Sequence, residues 1–520
     1  MSLLVSSVRD YYENNSRQQQ GVQEGQTMAR AIIIGAGLGG LATALRLRHA
    51  GLDVLVLEKQ PRAGGRSNVI EENGFRVDTG PTILVMKSTF EDTYRAIGQD
   101  LNQRLDFVRL DPNYRVYYHD GTYLDLFSSM PELAAEVERV EPGAAARLFR
   151  FLGAGAKKYA LGMTFVTRNY DRITDLANPV AARRLLVTGS YQRLYRHVAA
   201  YFKSDKLRKA FSFHSMFLGL SPYDALAMYS LITYADLALG MWYPRGGIYS
   251  IVEDMLALAD EMGAEVRTNA PVREILIRNG RASGVVLESG DTLEADLIIS
   301  NADLPYTYKS LVPAGARRAY TDSRLDAMDY ACSGYLLYLG LDKEYTQMRH
   351  QALYFSEDYR ANLDAIFKSR TIPTEPSFHL NNPTITDPTL APPGHTLLYV
   401  LAPMPNLQGG VDWHEAAPRV REQLLDQLER LVDPDLRQHI VWEREYTPLD
   451  FQTRLNAVHG TAFGSLAHGL FQSAYFRPHN VARDIPGLYF VGQGTYPGIG
   501  MPMVLISAQL VAERILHTWR

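Results

Sequence analysis

Apolar positions change their period several times along the chain, and each change marks an element. Ala31 to Ile34 is a β-branched run with no polar break, as in a parallel strand buried on both faces. After glycines at 35, 37 and 40, Leu41, Ala44, Leu45 and Leu47 recur at helical spacing, with Ala42 and Ala44 as good helix formers. Gly51 closes that helix, and Val54 to Leu57 predicts a second buried strand ending at Glu58. Residues 105–128 alternate like a β-hairpin turning at His119-Asp120-Gly121, whereas residues 131–240 are mainly helical. Tyr243-Pro244-Arg245-Gly246-Gly247 opens a helix predicted to reach Met262. Ala264 to Thr268, Val272 to Ile277 and Leu297 to Ile299 read as strands, with Gly280 and Gly290 at turns. Residues 333–342, 351–357, 376–382 and 395–402 have the pattern of a second sheet, and residues 412–432 form an amphipathic helix. The chain closes with a strand from Gly487 to Gly492, a glycine-rich loop and a helix from Pro502 to His517.

The glycines give the first stretch its chemistry. Gly35, Gly37 and Gly40 stand in G-x-G-x-x-G spacing between strand and helix, and Glu58 lies 23 positions after Gly35. That order suits the ADP half of a dinucleotide: a tight turn, close backbone approach to a pyrophosphate, and an acid for a ribose hydroxyl. Free N–H groups in the first helical turn face the phosphates. Gly64-Gly65-Arg66 follows. A simple NAD domain has no use for this second clamp. An arginine, always charged and a multiple donor, suits a pyrophosphate, and its presence points to FAD. The C-terminal loop, Gly492-Gln493-Gly494 through Pro497, Gly498 and Gly500, leads into a helix with Pro502 in its first turn. The partial positive charge of such a helix start would stabilise an anionic reduced flavin.

Composition narrows the choice. The 520 residues are too many for one simple core, and two or three lobes are expected. An apolar share of 46% is ordinary for a globular chain, and a net charge of −4 does not suggest a nucleic-acid partner. The one cysteine, Cys332, excludes an internal disulfide and a CxxC redox pair, and is consistent with a reducing cytoplasm. Residues 1–27 are polar, lack the apolar core of a secretory signal and read as a disordered tail, with Met28 as an alternative start. No run of about 20 apolar residues predicts a spanning helix. There is no HExxH, no His/Cys set with zinc spacing, no G-x-S-x-G elbow and no P-loop, and no metal is expected.

Taken together, the patterns predict an α/β protein with no internal repeat. Residues 28–104, 243–305 and 483–520 would form a discontinuous, Rossmann-like FAD-binding domain of the glutathione-reductase type. Residues 105–130 and 306–482 would form an inserted α+β substrate lobe with a mixed sheet, and residues 131–242 a helical, membrane-facing part.

Several separate motifs carry a family resemblance. They are GAGLGGLATALRL, GGR and GFRVDTGPT; AFSFHSMFLGLSPY at 210–223 and WYPRGGIYSIVEDM at 242–255; SNAD at 300–303, LNAVHGTAFG at 455–464, SAYFRPHN at 473–480 and VGQGTYPGIGMP at 491–502. From Met28 onward the chain resembles bacterial carotenoid desaturases of the phytoene desaturase type, within the FAD-dependent, amine-oxidase-like superfamily. The resemblance implies FAD as the tightly bound cofactor. It also implies desaturation of a long isoprenoid, phytoene toward lycopene, by hydride transfer to flavin N5 and loss of a proton. The cofactor-binding set it implies is Gly35, Gly37, Gly39, Gly40, Glu58, Lys59, Gly64, Gly65, Arg66, Val272, Gly492, Gln493, Gly494, Met501 and Pro502. His214, His459 and His479 lie in family motifs and are candidate proton acceptors or positioners; Arg245 is a candidate for the flavin ring or pyrophosphate, and Arg477 could equally be structural. Many family members have His where this chain has Tyr496, and more glycine where it has Met501 and Met503. That departure leaves the flavin chemistry intact but keeps other substrates open: C30 diapocarotenoids, hydroxycarotenoids, or methyl groups for an oxygenase. Carotenoid isomerases, and the Rab escort and GDP-dissociation-inhibitor proteins that bind prenyl lipid without redox work, share the scaffold and stand as further alternatives.

A polyene substrate of this kind resides in the bilayer, and residues 181–209 offer a docking surface. Arg183, Arg184, Arg193, Arg196, Lys203, Lys206, Arg208 and Lys209 alternate there with Leu185, Leu186, Val187, Tyr191, Leu194, Tyr195, Val198 and Phe202. The expectation is a cytoplasmic protein attached peripherally to the inner face of the cell membrane, passing electrons to oxygen or a quinone.

Overall fold

Five parallel strands form the nucleotide side of the molecule in a computed structural model that describes residues 29–176, 183, 187, 189–467, 472, 473 and 476–519. The tail predicted over residues 1–27 lies outside the described residues, as does part of the basic segment 181–209. Across the sheet the order is Leu488–Phe490, Leu297–Ser300, Arg30–Ile34, Asp53–Leu57 and Glu265–Arg267. Three distant stretches of sequence therefore build one sheet. Arg30–Ile34 is central, and Ala31, Ile32 and Ile33 are completely buried, as its unbroken apolar run requires. Helices Leu38–His49, Tyr249–Glu261 and Met501–Trp519 cover one face, where Leu41, Leu45, Ile251, Met255, Leu505 and Ala508 share a core. A three-stranded antiparallel sheet, Val272–Arg278, Arg281–Leu287 and Thr292–Glu294, covers the other.

A seven-stranded mixed sheet forms the second layer. Its order is Ile440–Tyr446, Ser333–Leu341, Thr396–Met404, Phe378–Asn381, Gln351–Phe355, Tyr114–Tyr118 and Tyr123–Leu126. The single parallel pairing joins Gln351–Phe355 to Tyr114–Tyr118, which brings the early strands into the late sheet. Helix Trp413–Leu431 packs Trp413, Val420, Leu424 and Leu428 against Tyr335, Leu337 and Leu339 on the outer face. Period-2 alternation sends Leu336 and Tyr338 to the inner face. Helices Met130–Val140, Ala145–Val166, Leu194–Ala199, Asp205–Ser212 and Ser230–Leu239 make the third part.

The strands differ from the sequence expectation in several places. The predicted hairpin over 105–128 is narrower, pairing only Tyr114–Tyr118 with Tyr123–Leu126. Phe107–Leu110 pairs instead with Met241–Pro244. Pro112, with no N–H to donate, separates the two runs. A hairpin not foreseen joins Val69–Glu72 to Phe75–Asp78 through Asn73 and Gly74, both at positive φ (51° and 80°). Ile440–Tyr446, also unforeseen, is an edge strand that exposes the charged Arg444 and Glu445.

Candidate active site

The glycine turn has the geometry its spacing predicts. Gly35 sits at φ 98°, and a Cβ on Gly40 would lie 2.1 Å from the Gly35 carbonyl oxygen. Only glycine lets the helix start this close to the strand end. Glu58 is buried and accepts from the backbone N–H groups of Ala36 and Gln60, each at 2.9 Å. Its carboxylate is thereby fixed at the end of the second strand, with lone pairs left for a ribose hydroxyl. The Gly64 N–H donates to the Ala36 carbonyl at 2.8 Å, which brings the Gly-Gly-Arg segment beside the first turn. Arg66 pairs with Asp303 at 3.1 Å. With the Gln493 amide turned so that its oxygen faces the guanidinium, that oxygen lies 2.6 and 2.8 Å from Arg66 Nη1 and Nε.

One cavity of about 1250 Å³ runs from these groups to the inner face of the large sheet and on into the helical part. That exceeds the usual 300–1,000 Å³ of a ligand pocket, so it has room for a dinucleotide and a second bulky molecule. Of the sequence-predicted cofactor residues, Gly35, Gly37, Gly39, Glu58, Lys59, Gly64, Gly65, Arg66, Val272, Gly492, Gln493, Gly494, Met501 and Pro502 all line it. Gly40 lies just behind, in the packing of helix on strand. The first turn of Met501–Trp519 faces the cavity through Met501, Pro502, Met503 and Val504. Beyond, the walls are apolar and aromatic, including Leu336, Leu401, Phe217, Leu231 and Ile232.

The candidate catalytic residues require correction. His214 is fully buried in the helical part; its Nε2 lies 2.8 Å from Asp236 Oδ2 and its Nδ1 3.2 Å from Thr233 Oγ1. With both nitrogens engaged and no cavity surface, it is a structural histidine. His459 packs edge-on against Tyr330, 4.6 Å between centroids, and His479 contacts Arg483; neither lines the cavity. Arg245 points outward, 3.0 Å from Asp106 and 2.8 Å from the Thr386 carbonyl. Its segment is conformationally set by Asp78, which accepts from the N–H groups of Ile248 and Tyr249 at the start of the next helix, and whose carboxyl burial pushes up to about 6. The basic segment is also partly internal. Lys206 pairs with Asp120, Lys209 with Asp205, and Arg208 and Arg193 bond backbone carbonyls.

Two features escaped the sequence reading. Asn301, in the SNAD motif, donates through Nδ2 to the Gly35 carbonyl at 3.2 Å and lines the cavity beside Gly37 and Gly39. The loop 79–82 is pinned by the large sheet: Tyr338 Oη donates to the Thr79 carbonyl at 2.9 Å, Tyr399 Oη to Gly80 at 3.0 Å and Gln351 Nε2 to Thr82 at 2.9 Å. A Cβ on Gly80 would lie 1.9 Å from the Arg66 carbonyl oxygen, so this loop locks the sheet onto the Gly-Gly-Arg segment.

A dinucleotide cradle opening directly into a large apolar chamber defines a flavin-dependent oxidoreductase. The chain belongs to the flavin containing amine oxidoreductase family, whose pattern it matches over residues 38–516. It is 41% identical over 492 residues to the zeta-carotene-forming phytoene desaturase of Myxococcus xanthus, covering 94% of each chain. It is 35% identical over 495 residues to the lycopene-forming phytoene desaturase of Pseudescherichia vulneris, covering 94% of this chain and 99% of the other. Among solved structures, an oxidoreductase from Methanosarcina mazei superposes with a TM-score of 0.63 at 20% identity, covering 93% of this chain and 100% of the other, a likeness of fold. The cofactor is FAD.

Proposed function

We infer that the protein is an FAD-dependent carotenoid desaturase that acts on phytoene and carries it toward lycopene. The observation that carries this reading is the continuity of the FAD cradle with an apolar chamber floored by a sheet. Neither carbon of a saturated CH–CH pair is usefully acidic, so no side-chain base can begin the reaction alone. FAD supplies the two-electron oxidation when bound, and the chain holds and orients the partners. Glu58 and the helix start at 37–39 would hold the ADP half, and Arg66 the pyrophosphate. The start of Met501–Trp519 would place its partial positive charge at the pyrimidine end of the flavin. The apolar walls align the polyene and exclude water. Oxygen or a membrane quinone would accept the electrons.

Coexpression tests the substrate. Cells making phytoene are expected to accumulate lycopene or an intermediate carotene when the protein is present, and cells making only dehydrosqualene are expected to stay colourless. Pigment in the second strain alone would assign a C30 substrate.

We propose further that the protein docks on the inner face of a membrane. Tyr191 lines the cavity yet is 63% exposed, and Val187 nearby is 77% exposed, so the helical part offers an apolar entrance at the surface. No helix among the described residues is long and apolar enough to cross a membrane. Flotation with vesicles containing anionic lipid is expected to carry the protein upward, and Val187→Asp with Tyr191→Asp to leave most of it at the bottom. Equal flotation of the double variant would place the docking face elsewhere.

A further inference from the structure

One transverse row of side chains crosses the inner face of the large sheet. Backbone register pairs Tyr446 with Leu336, Leu336 with Leu401, and Leu401 with His379. All four line the cavity, and among the described residues His379 is the one histidine that does. It sits in the apolar chamber, joined through Gln351 and the loop 79–82 to the Gly-Gly-Arg segment.

Its hydrogen bonds fix its tautomer. Gln351 is completely buried, and its Nε2 donates to the Thr82 carbonyl at 2.9 Å. The amide oxygen of Gln351 therefore faces His379, 2.5 Å from Nε2. An amide oxygen only accepts, so Nε2 carries the proton and Nδ1 carries a lone pair. Among the described residues no protein group bonds Nδ1. The cavity-lining carboxylates are differently placed. Asp303 is paired with Arg66, Asp450 caps a helix through Thr447, Glu58 is bound by two backbone N–H groups, and Glu288 is exposed at the surface.

We propose that His379 is the proton acceptor of the desaturation and that Gln351 is the positioning residue that presents its Nδ1 lone pair to the substrate. The proposal rests on the desaturase reading above. Bound FAD would supply the two-electron oxidation, taking up hydrogen with its bonding pair from one carbon. The neighbouring C–H gives its proton to Nδ1, and its electron pair becomes the new π bond. The imidazolium returns the proton to water when product leaves. Burial holds the imidazole down to about 3, so the lone pair is present throughout the physiological range. So weak a base suffices, because a carbon-bound hydrogen beside a carbocation is a far stronger acid.

The test compares wild-type holoenzyme with His379→Gln, which keeps a polar partner for Gln351 and removes the basic nitrogen. Flavin content and melting temperature are expected to stay unchanged. Single-turnover product formation from phytoene in liposomes is expected to fall by about 100-fold or more. A primary deuterium isotope effect is expected to appear, in the variant, at the carbon that loses the proton. In ¹⁵N-histidine spectra of the holoenzyme without substrate, the signals lost in His379→Gln are expected to be those of a neutral Nε2–H tautomer that does not titrate between about pH 5 and 9. A variant that turns over within threefold of wild type, with no such isotope effect, overturns the proposal and leaves the desaturase reading standing. A flavin-loaded wild type that converts neither C40 nor C30 precursor overturns both. Should His379→Gln fail to hold flavin, Gln351→Leu leaves the imidazole in place and frees its tautomer. Because the bond to Thr82 is lost as well, turnover is read per bound flavin; it is expected to slow about tenfold or more, with the ¹⁵N signal of the Nε2–H tautomer lost, and an unchanged rate overturns the proposal.

Discussion

Gly40→Val is expected to give a protein that keeps its circular dichroism but carries no flavin through gel filtration. Position 40 belongs to the first turn of helix Leu38–His49, and any Cβ there lies 2.1 Å from the Gly35 carbonyl oxygen and 3.3 Å from Asn301 Nδ2. Backbone cannot absorb such an overlap in place, so the helix start must move off the strand. Overpacking of this kind costs about 1–3 kcal/mol, which a large layered core can survive. The dinucleotide site cannot, because the N–H groups of residues 37–39 move with the helix while Glu58 stays on the second strand. The loss is therefore expected to be selective: absorbance of bound flavin disappears, and the thermal transition falls by a few degrees. Full flavin content in the valine variant would mean that this helix start does not hold the phosphates.

What the sequence made legible was local. Strand, turn, helix and second strand from Ala31 to Glu58 are each written in a short periodicity, and a buried parallel strand admits few other patterns. The return of Leu297–Ser300 and Leu488–Phe490 to the same sheet was readable because both are short runs dominated by large apolar residues. The Val69–Asp78 hairpin carries an equally local signal, since Asn73-Gly74 between alternating runs is a strong turn pair. The catalytic histidines failed for a different reason. A motif locates a residue along the chain but does not say whether its ring faces a cavity. His214 lies in a rich motif, yet Asp236 and Thr233 occupy its nitrogens. His379 lies in a strand with no motif around it, and only the register across four strands brings it to the chamber. Asn301 and the loop 79–82 likewise act through partners more than 200 residues away in sequence, as the separations of 266 for Asn301–Gly35 and 269 for Gln351–Thr82 illustrate.

Arg477 carries the second large effect. Its side chain is completely buried, and among the described residues its hydrogen bonds all go to main-chain carbonyls: Nε to Thr495 at 3.1 Å, Nη1 to Gln472 at 3.3 Å, and Nη2 to Leu466 at 3.4 Å and to Gln493. Two of those carbonyls belong to the glycine loop that leads into helix Met501–Trp519. One planar fork thus ties the flavin-facing loop to the segment before it, work that a single ammonium cannot copy. Burial lowers the guanidinium to about 10, which still leaves it cationic at neutral pH. Arg477→Leu removes the fork and strands its acceptors in a dry interior, where each orphaned group costs about 1–3 kcal/mol. Relaxation recovers part of that, so a net destabilisation of roughly 3–5 kcal/mol is expected in denaturant titration, comparable with breaking other buried charged networks. Flavin fluorescence should rise before the far-UV signal changes, because the glycine loop opens before the sheets separate. Arg477→Lys is expected to fall between the two, retaining charge without the fork. A leucine variant that melts and releases flavin together, at the wild-type temperature, would show that the loop holds its shape without this side chain.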